Sequence, residues 1–165
     1  MSLTLMAFIG CGDSSSTVDA SSKDDLFIIP KERVGLIRTG MTLDAIERAL
    51  GPSQDPSFGN GTYRRSYPEI GLSLSLVSDG SNVVKNVECG SLETGDPLID
   101  SCKHSTTEGI GMGSTREQII SVYGQPSSIK TDWMGGSPDE GLFYESIGIR
   151  FILTDGQVHS MMVFL

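Results

Sequence analysis

The chain has 165 residues, with 12 Lys and Arg against 21 Asp and Glu for a formal charge of −9, and it is 38% hydrophobic with 20 glycines. That composition, with a mean hydropathy of −0.05, excludes a collagenous or polytopic membrane protein. An isoelectric point near 4.5 sets the surface against phosphate backbones and anionic lipid, so nucleic acid is not an expected partner.

An apolar run opens the chain and closes at Phe8-Ile9-Gly10-Cys11, followed by the polar tract Gly12-Asp13-Ser14-Ser15-Ser16-Thr17. The order of apolar stretch, small residue, cysteine and polar tract resembles a bacterial lipoprotein signal. Gly10 fits the position before the cut, whereas Phe8 stands where leucine is usual and no Lys or Arg precedes the run. The resemblance implies that residues 1–11 are a signal ending at a lipidated Cys11 and that 12–25 form a disordered tether, too poor in apolar surface to fold. The run is too short to cross a bilayer as a helix.

Two stretches further on read alike. Ile37 to Gly51 overlies Ile110 to Gly124, with Gly40 against Gly113, Thr42 against Thr115, Ile46 against Ile119 and Gly51 against Gly124. In each, a threonine hydroxyl can accept from the first helical turn, and Gln118 completes a capping box with Thr115. Asp44 and Glu117 suit the positive end of the helix dipole. Gly51 and Gly124 are expected as left-handed residues ending two short helices, with Pro52 and Pro126 beyond. Ile46, Ala49 and Leu50, then Ile119, Val122 and Tyr123, supply the apolar faces.

A second match sets Tyr67 to Leu76 against Tyr144 to Leu153. Leu72, Leu74 and Leu76 alternate with Ser73 and Ser75, which predicts a strand with one buried and one wet face. Asp79-Gly80 and Asp155-Gly156 predict hairpins into last strands over 82–88 and 157–165, and further strands precede at 62–67 and 141–145. The expected fold is α+β, two tandem repeats (26–89 and 109–165) joined by a linker at 90–108, each a short helical element packed on an antiparallel β-meander.

The pattern Gly-Met-Thr, short helix, Leu-Gly-x-Pro resembles the SmpA/OmlA type of outer-membrane lipoprotein and the tandem-repeat fold of β-lactamase inhibitor protein. Gly40, Met41, Thr42, Ile46, Leu50 and Gly51 carry it first, then Gly113, Thr115, Glu117, Gln118, Ile119, Gly124 and Pro126. Proline comes one place early at Pro52, and Ser114 replaces the second methionine. The resemblance implies an exported envelope protein that binds another protein.

With Cys11 lipidated, Cys89 and Cys102 remain. In an exported protein they pair as a disulfide worth about 3 kcal/mol; in a cytosolic one they are two free thiols. Only His104 and His159 accompany them, both expected at the surface, and no C-x-x-C is present, so no metal or cofactor is expected. No nucleophile elbow, zinc-protease helix or phosphate loop is found either, and a non-enzymatic protein is expected. Phe58 and Tyr63 flank one glycine-rich loop, while Trp133 and Met134 enter another. They serve either as anchors of a protein-binding surface or as plugs that close the end of their own sheet. The expected function is a lipid-anchored, protein-binding module of the bacterial cell envelope, its membrane contact made through Cys11, the alternative being an inhibitor of a hydrolase such as a β-lactamase.

Overall fold

The computed structural model describes residues 25–54, 63–90, 102–131 and 139–165. In chain order these form β1 (Phe27–Ile29), β2 (Arg33–Val34), β3 (Ile37–Arg38), α1 (Leu43–Leu50), β4 (Tyr63–Tyr67), β5 (Leu72–Leu76), β6 (Val84–Gly90) and β7 (Ser105–Thr106). There follow α2 (Arg116–Tyr123), β8 (Ser128–Thr131), β9 (Glu140–Tyr144), β10 (Ile149–Thr154) and β11 (Gln157–Phe164). The fold is α+β and rich in strands, with two sheets. None of the described helices is long and apolar enough to cross a membrane.

Both described helices start at a threonine cap. Thr42 Oγ1 accepts from Ala45 N at 3.4 Å, and Thr115 and Gln118 form a reciprocal capping box. At the C-termini the expectation needs correction. Gly51 (φ 96°, ψ −179°) and Gly124 (φ 74°, ψ −160°) have the positive φ foreseen but an extended ψ, so they lie in a region open essentially to glycine alone and not in the left-handed helical one. The chain therefore turns out of each helix into the extended segment that leads to the sheet. A tyrosine on the sheet pins each exit: Tyr67 Oη donates to Gly51 O at 3.2 Å, and Tyr144 Oη donates to Gly124 O at 2.9 Å. Burial holds the Tyr67 hydroxyl proton on, pushing its pKa up to about 12.

The larger sheet has the order β4-β5-β6-β11-β10-β9-β8, antiparallel throughout. Antiparallel partners share a face, so one row runs Tyr67, Leu72, Cys89, Met161, Phe151, Leu142 across six strands. Every member is buried, and Ile46 of α1 and Ile119 of α2 join the same core. Tyr123, Tyr144 and Phe151 pack ring to ring, with centroids 5.7–5.9 Å apart. Asp155 (φ 51°) and Gly156 (φ 77°) form the two-residue turn with positive φ at both places that joins β10 to β11.

A second sheet, β3-β2-β1-β7, supplies Ile28, Val34 and Ile37 to that core, and β7 pairs parallel with β1. Its strands hold two or three residues each, too few to show a period of two. Ser105 and Thr106 lie within the stretch expected to link the two units. Three side chains depart from expectation. Val122, assigned to the packed face of α2, is 40% exposed, because Ile119 and Tyr123 already fill the narrow stripe that meets the sheet. Ser73, assigned to a wet face, is 5% exposed, and its hydroxyl accepts from Arg64 Nη2 at 3.2 Å. His104, expected at the surface, is 4% exposed beside the disulfide.

Gly71 ends the 3-10 turn Pro68–Ile70 with φ 66°, and a Cβ there would fall on the backbone of Cys102. Tyr144→Phe is expected to cost about 1 kcal/mol in urea unfolding, the worth of one hydrogen bond. Gly71→Ala combines left-handed strain with overpacking and should cost roughly 2–4 kcal/mol. A smaller loss for Gly71→Ala than for Tyr144→Phe would contradict the seating of Cys102 against β5.

Candidate functional site

The face of the larger sheet turned away from the helices carries a different row: Ser66, Ser73, Glu88, Met162, Arg150, Phe143 and Ser128, one residue from each strand. These positions are offset by one from the core row, so the strand period that buries the leucines also sets this polar and aromatic strip on the opposite side.

Near the middle of the strip, Glu88 is 3% exposed. Its carboxylate accepts from Ser160 Oγ at 3.0 Å and from Arg64 Nη2 at 3.3 Å. A buried carboxylate needs such partners, and here they come from β4 and β11, on either side of β6. Two strands further on, the Arg150 guanidinium lies 4.2 Å from the centroid of the Phe143 ring and 5.4 Å from that of Phe164. Lys130 Nζ lies 4.9 Å from Phe143 as well. Burial lowers the Arg150 pKa and Glu88 opposes the change, but a guanidinium stays charged at any ordinary pH.

Beside Arg150 is a cavity of about 540 Å³, walled by Phe143, Arg150, Phe164 and the backbone of Gly148, with Lys31 and Glu145 at its rim. Lys31 reaches across from the β1–β2 turn, where Nζ donates to Ser146 O at 2.6 Å. Gly148 has φ 73°, and a Cβ on it would come within 2.8 Å of Lys31 Cγ, so the glycine sets how closely the lysine approaches. Two cations beside aromatic walls suit a partner group with an apolar body and a carboxylate.

At the other end of β10 a short relay runs from Asp139 through Thr154 to His159. His159 is the extra residue at the register shift opposite Ile152 and Leu153, a bulge that re-aims its ring. The Thr154 hydroxyl donates to Asp139 Oδ1, so its oxygen must accept from His159 Nδ1, 2.8 Å away. That assigns the neutral ring the Nδ1–H tautomer and leaves the Nε2 lone pair buried without a protein partner among the described residues.

The residues singled out from the sequence are scattered. Cys89 and Cys102 are joined, with Cα atoms 5.8 Å apart, and His104 Nδ1 lies 3.8 Å from Cys102 Sγ. Cys11, Phe58, Trp133 and Met134 lie outside the described residues; Tyr63 contributes its backbone to β4 opposite Leu76. Sequence reading missed Glu88, Arg150, Phe143 and Phe164. The alternation of β10 alone could have separated Arg150 from Ile149 and Phe151, but only the pairing of three strands brings it to the two phenylalanines.

Burial lowers the pKa of His159, with Asp139 partly opposing it, and burial lowers that of His104. A histidine held below its unfolded value of 6.5 favours the native state above that pH. The contribution is lost as pH falls from 6.5 through the lower native value. Carboxylates titrate further down, Glu47 and Glu108 being held below the ordinary 4.5 by hydrogen bonds from Ser53 and Tyr123, so the histidines are read between about pH 7 and 5. The urea midpoint should fall across that window. It should fall less in His159→Asn, whose amide can still reach Thr154. Parallel curves for the two proteins would contradict the burial of Nε2.

No family model matches the chain, and no curated protein matches it. Its fold is similar to that of a solved structure, a DUF4309 family protein (YjgB) from Bacillus subtilis, with a TM-score of 0.50 and 13% identity, covering 79% of this chain and 83% of that one. At that identity the likeness is one of fold.

Proposed function

We propose that this chain is an exported, non-enzymatic module of the bacterial cell envelope, anchored by lipid on Cys11, that holds a protein partner against the outer face of its larger sheet. The observation that carries the binding role is the Arg150 site, where a guanidinium set between Phe143 and Phe164 borders a cavity of about 540 Å³. Arginine and aromatic side chains at a concave place are what binding energy concentrates on. Lys31 and Arg150 outnumber Glu145 among the charged side chains lining the cavity, in a chain of net charge −9, which favours a partner offering an acidic side chain there. Export is supported by the Cys89–Cys102 pair, since such bonds persist in oxidising compartments, and by the lipoprotein-like order of residues around Cys11.

The module is read as two tandem copies of one helix-and-meander unit. Support comes from contacts that recur in order: a threonine cap, a glycine exit, a tyrosine hydroxyl on that exit, and three antiparallel strands. The sheet order also reads β4-β5-β6 inward to its centre from one side and β9-β10-β11 inward from the other.

A photoreactive phenylalanine analogue at position 164 in the native host is expected to give one discrete protein adduct, reduced about tenfold by Arg150→Glu, the loss expected of an interface anchor. An adduct unaffected by Arg150→Glu would refute the site. Mass spectrometry of membrane fractions should find a diacylglyceryl group on Cys11, and Cys11→Ser should release the chain. A soluble wild-type protein with a free Cys11 thiol would refute the anchor.

A further inference from the structure

Three soft or borderline donors meet where β6 passes under the segment leading to β7. Cys89 Sγ, Cys102 Sγ and a ring nitrogen of His104 lie within 4.8 Å of one another, all three residues buried. Two glycines with positive φ make room for them. A Cβ on Gly71 would fall on Cys102, and one on Gly35 (φ 55°) would stand 3.0 Å from His104 Nε2. The imidazole is thereby seated with Nδ1 toward the sulfurs, 3.8 Å from Cys102 Sγ. With Zn–S near 2.3 Å and Zn–N near 2.05 Å, a tetrahedral ion spaces sulfur and nitrogen by roughly 3.6 Å, so this edge of a metal site is almost at its final length while the sulfurs are still bonded to each other.

We propose that reduction of the Cys89–Cys102 bond turns this cluster into a Cys2His site for a thiophilic divalent cation of the zinc type. The reductant is an external dithiol. One of its thiolates attacks a disulfide sulfur and expels the other cysteine; its second thiolate then closes the reductant's own disulfide and releases the first. Two electrons and two protons reach Cys89 and Cys102. The cation displaces those two protons to solvent and takes the Nδ1 lone pair of His104, leaving a fourth position for water. The chain thus has two alternative closures for one loop, covalent when oxidised and metal-bridged when reduced. This site is independent of the Arg150 face.

The test is Co2+ titration of the full-length chain after reduction with a phosphine, followed by zinc competition. The reduced protein should bind one Co2+ with thiolate-to-cobalt absorption while far-UV circular dichroism stays native, and the oxidised protein should bind none. His104→Phe should bind about tenfold more weakly or worse, His104→Cys should retain binding, and Cys11→Ser should leave it unchanged. The proposal is overturned if the reduced chain gives no thiolate-to-cobalt absorption, if His104→Phe binds like wild type, if Cys11→Ser abolishes binding, or if the denatured reduced chain binds as tightly as the native one.

Discussion

The pairing of β6 with β11 is the constraint on which the rest of the molecule depends. Five residue pairs, from Gly90 with Ser160 to Asn86 with Phe164, join the strands contributed before residue 91 to those contributed after 127. With that seam closed, the row from Tyr67 to Leu142 is one continuous buried surface; with it open, Cys89 and Met161 would both stand at raw sheet edges. Either half alone would bury too little to offset the entropy of ordering its chain. The small sheet strengthens the same union, because β1 precedes α1 in the chain while its parallel partner β7 leads toward α2.

The seam also sets the electrostatics of the outer face. Ser160 on β11 holds the Glu88 carboxylate of β6, and Arg64 on β4 holds it from the far side, so one buried charge draws on strands from both halves. Arg150 resolves a different conflict. A guanidinium on a half-buried strand loses water, and the ring faces of Phe143 and Phe164 supply part of what water no longer does. A net charge of −9 therefore describes the chain as a whole and not the one face where Lys31, Lys130 and Arg150 gather.

Helix exits show how a local rule and a long-range contact combine. Gly51 and Gly124 need no side chain in order to turn with positive φ and extended ψ, and the carbonyl each leaves at the helix end is met by a tyrosine that arrives from the sheet. The glycines make the turn possible; the tyrosines make it the one adopted. His104 shows the reverse. Nothing near it in sequence calls for burial, and its place is decided by Gly35 and Gly71, residues distant in the chain whose missing side chains leave the space it shares with Cys102.

The sequence by itself determined the features that short-range chemistry dictates: two threonine-capped helices of two turns, the leucine alternation of β5, the Asp155-Gly156 hairpin, and an α+β class. Each rests on contacts within a few residues or on a period that a single segment displays. It could not reveal β1, β2, β3 and β7, whose two or three residues are too short to carry a period and are held only by their neighbours. Nor could it separate Ser73, buried among Arg64 and its strand partners, from the exposed serine its alternation suggests. Tertiary structure alone decided that Glu88 meets Ser160, that Arg150 stands between Phe143 and Phe164, and that His104 faces a sulfur. The first two meetings are products of strand register, which joins residues up to 72 positions apart and leaves no mark on either segment read alone, and the third of the room left by two glycines distant in the chain.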